Sequence, residues 1–399
     1  MKADTAAPDA IGRAAARELL ARNATPHGLL AATPLPAARS RGYHGVFARD
    51  AAICALGIAL DGEPALLRAA AASLRTLAQH QADNGQIPKF VNVEQNDSDF
   101  WYLGCIDASL WWLIALDVLR RAAPPEMASE LEALRPHAER ALAWLRCQEH
   151  PRLHLLQQNE ASDWADIMPR SGFVLYTNAL WYEVKRRYAP AEAQATHYHF
   201  NHLFYPFTRQ PPEYRRLRLL THYVRRRALA RELYLSFVNF SYWGEEGDVL
   251  GNLLAIVFGL ADPAHALAIV RALERAGVHE PHPVRAVVTP IRREDLLWRT
   301  YMGRHRQNLE YQYHNGGSWP FIGGFWVSAL VRVGQHERAR QELARLTQMN
   351  ALRDWEFNEW FHGASGAPRG MAGQSWSAAM LLLAQHAVER RISDIFPVS

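Results

Sequence analysis

The sequence predicts an all-α protein whose paired helices stand in two concentric layers, and three observations carry that expectation. Apolar residues recur at helical spacing along most of the 399 residues. Runs that are apolar nearly all round alternate with runs that are apolar on one face, the pattern of inner and outer helices. The loops within a pair are short, and strand-like alternation is scarce. A hydrophobic content of 49% with 21% charged residues supplies the apolar material for a large core.

In chain order, an amphipathic helix runs from Asp9 to Arg22, and a turn-rich stretch follows from Asn23 to His44. Phe47 to Leu60 and Glu63 to Gln81 form a helix pair, closed by the loop signal Asp83-Asn84-Gly85-Gln86-Ile87-Pro88. Ile106 to Arg121 is apolar on every side and belongs inside, with Pro125 to Cys147 as its outer partner. Val174 to Arg187 is a further helix; Gly251 to Leu260 pairs with Pro263 to Ala276, and Phe321 to Val333 with His336 to Thr347. Gln374 to Arg391 closes the chain, and no period is tight enough to mark a sequence repeat.

One catalytic domain over 1–399 is expected, interrupted by an insertion at 185–247 that covers the cleft. The insertion carries a basic, aromatic-mixed stretch from Thr208 to Arg231, including Arg215, Arg216, Arg218 and Arg225 to Arg227. With no matching basic surface around it, this stretch reads as a solvated face, although it would also suit an acidic polymer or self-association into a homo-oligomer. A net charge of +4 imposes no nucleic-acid footprint, and no apolar run is long enough to span a bilayer. The N-terminus lacks the apolar core of a signal peptide. Cys54, Cys105 and Cys147 are odd in number and widely spaced in helical contexts, which suits buried free thiols. The expectation is a soluble cytoplasmic protein with a small carbohydrate substrate and no membrane or nucleic-acid partner, cofactor or metal. His197, His199 and His202 could converge on zinc, but their spacing fits no tight ligand pattern.

The stretch from Tyr311 to Ile322 places an amide, two glycines, a hydroxyl and several aromatics just before an apolar helix. Asn315-Gly316-Gly317 reads as a turn that lets backbone approach a ligand, and Pro320 suits a first helical turn. Aromatic faces beside fixed polar groups match a sugar ring, whose C–H faces are apolar and whose hydroxyls are not. Cleaving a glycosidic bond calls for two carboxylates in different environments. One segment, Glu160 to Arg170, holds Glu160, Asp163 and Asp166 around Trp164; the neighbouring Trp and Met could desolvate Asp166 for acid duty. Asp163 competes for that role, and capping would explain all three acids. A second segment, Asp354 to Gly366, sets Glu359 in an aromatic turn, with Glu356 as its alternative. In a third, Arg49-Asp50 could hold sugar hydroxyls or form a charge pair at a helix start.

Read together, Phe47-Ala-Arg-Asp50, Asp99-Phe-Trp101, the Trp-Trp-Leu-Ile helix at Trp111, Leu250-Gly-Asn252, Tyr313-His-Asn-Gly-Gly-Ser-Trp-Pro320, Asn358-Glu359 and Gln374-Ser-Trp-Ser377 form an ordered set. That set resembles the neutral/alkaline invertases and, more distantly, the amylo-α-1,6-glucosidase module of glycogen debranching enzymes. The resemblance implies an (α/α)6 toroid and inverting attack at an α-glucosyl carbon, with Asp166 as general acid and Glu359 as general base. It also implies a glucosyl-binding site at Arg49 and Asp50, with Trp164, His314, Asn315, Trp319, Gln374 and Trp376 in the same cleft. Sucrose is the leading substrate; an α-1,6-linked or other small α-glucoside is the alternative. Asp166-Ile-Met-Pro-Arg170 departs from that family's Asp-Arg-Arg-Met-Gly and is nearer to other α-glucosidases of similar fold. A sugar epimerase or isomerase using His314 and His362 is the reading from another class. A non-catalytic carbohydrate binder would follow from misaligned carboxylates.

Overall fold

A computed structural model describes residues 8–43, 45–100, 105–208, 212–389 and 391–397. Trp101, part of the resemblance, and the first seven residues lie outside the described set. The helices in order are α1 (Pro8–Asn23), α2 (Pro36–Ser40), α3 (Ala48–Asp61), α4 (Pro64–Gln79), α5 (Ile106–Ala122), α6 (Ala128–Glu132), α7 (Arg135–Cys147), α8 (Leu175–Tyr188), α9 (Pro190–Phe204), α10 (Arg215–Arg227), α11 (Val249–Val257), α12 (Pro263–Arg275), α13 (Pro320–Arg332), α14 (His336–Trp355), α15 (Ser375–Val388) and α16 (Ile392–Ile395).

Six of them close a ring. Helix α3 packs on α5, α5 on α8, α8 on α11, α11 on α13, α13 on α15, and α15 returns to α3. Outside them stand α4, α6 with α7, α9, α12, α14 and α1, the last against α15. This is the (α/α)6 toroid. Inner helices touch neighbours on all sides, which explains their uniform apolarity: Trp111 and Trp112 on α5 are both fully buried. Close crossings need small residues. A Cβ on Gly57 would fall 2.8 Å from the carbonyl carbon of Ala379, and one on Gly324 would fall 2.7 Å from the Met380 oxygen. Helix α15 therefore wedges between α3 and α13 through two glycines.

Local starts and stops follow from sequence. Pro opens α4, α9, α12 and α13, and Gly62 ends α3 in a left-handed conformation. Three expectations need correction. The outer run Pro125–Cys147 is a 3-10 turn and two helices, because Pro136 starts a new helix. Lys185 to Gly247 is not one insertion: Pro190–Phe204 is the regular outer partner of α8, and only the stretch around α10 is additional. Among the described residues, none of those lining the cleft comes from 185–247. Among the thiols, Cys54 and Cys105 are buried and Cys147 is exposed; all three are free.

Candidate active site

The loops at one mouth of the toroid enclose a cavity of about 280 Å³. Its lining includes Asp50, Trp164, Asp166, His314, Trp319, Glu359 and Trp376, contributed by segments far apart in sequence. Arg49 lines it as well.

Glu359 is held more tightly than Asp166. It precedes a hairpin in which Trp360 pairs with Arg369 and Phe361 with Pro368. Tyr43 Oη donates to its Oε1 at 2.8 Å, and the Met371 N–H donates to Oε2 at 2.9 Å. Opposite stands Gly370 at φ +72°; a Cβ there would fall 2.6 Å from Glu359 Cβ and would also strike Oε2. Burial drives the Glu359 carboxyl up to about 7, with the Met371 and Tyr43 donors opposing that rise.

Asp166 is held differently. Its side chain remains about a fifth exposed, with Lys89 Nζ 3.6 Å from Oδ2 and His314 Nδ1 3.8 Å from Oδ1. Burial pushes His314 well below its usual range, with nearby Arg170, Arg49 and Lys89 adding to the effect. The imidazole is thus neutral, and its approach to Asp166 is a proximity rather than an ion pair. The loop that carries Asp166 is anchored from behind. Asn308 Nδ2 donates to the Ile167 carbonyl at 2.8 Å. Buried Arg170 faces Asp248 at 3.2 Å and Glu246 at 3.5 Å.

The competing acids fall away from the cavity. Asp163 is buried beneath the loop, accepting from Gln158 Nε2 at 3.0 Å and the Ala165 N–H at 2.8 Å. Glu160 accepts from Tyr301 Oη at 2.7 Å, and Glu356 accepts from Asn358 Nδ2 at 3.2 Å.

Arg49 forms a buried bidentate pair with Asp107, Nε to Oδ2 at 2.6 Å and Nη2 to Oδ1 at 3.0 Å. Tyr176 Oη donates to the same Asp107 Oδ2 at 2.9 Å and accepts from Trp111 Nε1 at 2.7 Å. The guanidinium face that could have gripped sugar hydroxyls bidentately is thereby taken up by protein. Asp50 is 6% exposed, and burial lifts it to about 6 against the opposing charge of Arg49.

Aromatic rings wall the cavity. Trp164 meets His314, Trp319 and Phe321 edge-on at 4.8, 5.5 and 5.4 Å between centroids, and Phe321 stacks on Trp376 at 4.2 Å. The indole N–H groups of Trp164 and Trp376 are buried without a partner among the described residues.

Two expected cleft residues stand elsewhere. Asn315 is consumed in bracing: Nδ2 donates to the Ile291 carbonyl at 2.8 Å, Oδ1 accepts the Ile291 N–H at 2.7 Å, and its own N–H donates to Asn308 Oδ1 at 2.9 Å. Gln374 is fully buried at the position before α15, its side-chain amide is without a partner among the described residues, and it is not among the cavity-lining residues. The glycine turn also serves the chain itself, since a Cβ on Gly317 would fall 2.7 Å from the Tyr313 carbonyl oxygen. His362 stands outside the cavity, its Nδ1 accepting from the Ala364 and Ser365 N–H groups, so it cannot share proton work with His314. Among the described residues no three His, Cys, Asp or Glu side chains are grouped to hold a metal ion.

Sequence reasoning missed Arg41, Tyr43, Lys89, Phe90 and Asp107. Tyr43 lies in the turn-rich stretch before the Arg-Asp helix, where a lone aromatic among small and basic residues was the available signal.

A family described as alkaline and neutral invertase matches residues 238–391. The chain is 31% identical over 146 residues to Cytosolic invertase 1 of Oryza sativa subsp. japonica, covering 35% of this chain and 25% of that one. It is 29% identical over 140 residues to Probable alkaline/neutral invertase F of Arabidopsis thaliana, covering 34% and 28%. The matched part thus spans about a quarter of the length of these curated relatives. Among solved structures, a GH63 mannosylglycerate hydrolase from Thermus thermophilus, in complex with Tris and D-glycerate, superposes with a TM-score of 0.65 at 16% identity, covering 93% of this chain and 99% of that one. Residues 238–391, which hold Glu359 and the Tyr313–Pro320 turn, resemble the alkaline and neutral invertases, and the described residues share the helical toroid of that solved hydrolase.

Proposed function

We propose that this protein is an inverting α-glycosidase acting on a small α-glucoside, with sucrose the leading candidate. One observation carries the reading: two carboxylates from loops nearly two hundred residues apart face a single aromatic-walled cavity. Asp166 delivers a proton to the leaving oxygen. Glu359 takes a proton from the attacking water, and its two fixed donors hold the carboxylate plane still while it does so. Asp50 receives glucosyl hydroxyls at the cavity lining, with Trp164, Trp319 and Trp376 supplying the aromatic wall around it. Arg49 has the indirect duty of holding Asp107 and shaping the floor.

The likeness to invertases supports sucrose, and the mannosylglycerate hydrolase, whose fold this chain shares, supports other small glycosides. The free thiols support a reducing, cytoplasmic setting. An NMR time course against sucrose, isomaltose, maltose, trehalose and glucosylglycerate tests the reading, with the released anomer read before mutarotation. Initial β-glucose from any of them is expected. Initial α-glucose from sucrose or glucosylglycerate, where the cleaved glucosyl unit is the only glucose released, or isomerisation of a free sugar with no hydrolysis, would remove it.

A further inference from the structure

Next to the catalytic cavity lies a second recess of about 390 Å³, continuous with it through Arg41, Tyr43 and Glu359. Arg41, His305, Arg306 and Arg369 line this recess together with glutamine side chains, and its one carboxylate is that of Glu359. The three arginines come from three separate segments: the end of α2, the 3-10 turn Thr300–Arg306, and the hairpin behind Glu359. None of their guanidinium groups is neutralised by an ion pair among the described residues, unlike Arg49 and Arg170 on the inner side. His305 and Arg306 also both adopt left-handed backbone, φ 53° and 51°. That conformation costs side-chain-bearing residues about 1 kcal/mol each, and strain of this kind concentrates where a side chain must be presented.

Three unneutralised guanidinium groups around one recess make a positive field, and their forked donors match planar or tetrahedral oxyanions. The field also offsets the repulsion that Glu359 would exert on an arriving anion. We propose that this recess is a leaving-group subsite for an anion, so that the preferred substrates are α-glucosides whose aglycone bears a carboxylate or a phosphate. This rests on the hydrolase reading above and narrows its substrate class.

The test has a binding arm and a turnover arm. Calorimetry on the wild-type protein at low salt compares D-glycerate and inorganic phosphate with neutral glycerol. Turnover compares α-glucosylglycerate with α-glucosylglycerol, and sucrose phosphorylated on its fructosyl unit with sucrose. An anion should bind where glycerol does not. The charged member of a pair should show at least about tenfold higher kcat/KM, and this advantage should shrink near 0.5 M salt, where the screening length is only a few ångströms. Arg306→Ala and Arg369→Ala should each lower kcat/KM on the charged substrate about tenfold more than on its neutral counterpart. An advantage confined to one pair identifies carboxylate or phosphate as the group received.

The subsite is overturned if neither anion binds and charge confers no advantage, or if the arginine variants weaken charged and neutral substrates alike. The two failures are separable. Inverting hydrolysis of neutral glucosides with no preference for charge removes the subsite and leaves the hydrolase. Anion binding that Arg306→Ala abolishes, with no glycoside cleaved, leaves the subsite and removes the hydrolase.

Discussion

The two carboxylates at the mouth of the toroid are held in opposite ways. Glu359 is 4% exposed, with a hydroxyl on one oxygen, a backbone N–H on the other and a glycine cut away to admit it. Asp166 is more open, and its nearest charged or ionisable neighbours stand 3.6 and 3.8 Å away. A base must fix a water at one point on the ring, whereas an acid must follow a leaving oxygen that departs with the aglycone. Rigid clamping suits the first task and looser support suits the second. The difference also has an energetic side, because clamping Glu359 in a dry site makes its charged form costly.

The largest effect expected from breaking this comparison comes from removing either carboxylate. Asp166→Asn and Glu359→Gln should each lower kcat/KM on the natural substrate by on the order of 10³-fold, with circular dichroism unchanged. Next comes the cut-away. Gly370→Ala forces a Cβ against Glu359 in a left-handed backbone; a displacement near 1 Å should cost on the order of 10²-fold in kcat. The third is the clamp. Tyr43→Phe removes a donor that favours ionised Glu359, so its carboxyl rises above about 7 and the acidic limb of the kcat/KM profile moves to higher pH. Activity at pH 7 should fall by roughly fivefold to tenfold and recover partly near pH 8.5, within the range expected for one hydrogen bond to a charged group.

The smallest is a stability effect. The Glu359 carboxyl binds its proton more tightly folded than unfolded, about 7 against an ordinary 4.5. Its contribution is therefore fully present below about 4.5 and is lost as pH rises through about 7. Denaturant unfolding should show wild type losing on the order of 3 kcal/mol relative to Glu359→Gln between pH 4.5 and 8. Parallel pH profiles would show that Glu359 is solvated after all.

Much of this was readable in sequence, for physical reasons. An inner helix such as Ile106–Ala122 must be apolar all round, and Trp319-Pro320 marks a helix start wherever it stands. That Asp166 and Glu359 line one cavity was legible because acids set among aromatics have no solvation motive. Helix α9 was hidden because its buried face is built from Thr196, Phe200 and Leu203 among histidines, which blurs an amphipathic stripe. The partner of Arg49 was hidden too: Asp107 lies fifty-eight residues away on an apolar helix, and only the fold brings the pair together. Asn315 and Gln374 are not among the residues that line the cavity, because a motif shows which residues occur together, not which way they face.

The division of labour between the carboxylates is tested most directly with α-glucosyl fluoride, whose fluoride leaves without a proton. Asp166→Asn should hydrolyse it at near the wild-type rate, releasing β-glucose, while losing activity on sucrose or the preferred glucoside. Glu359→Gln should fail on both. Rapid fluoride hydrolysis by Glu359→Gln, with Asp166→Asn inactive, would contradict the account and exchange the two roles.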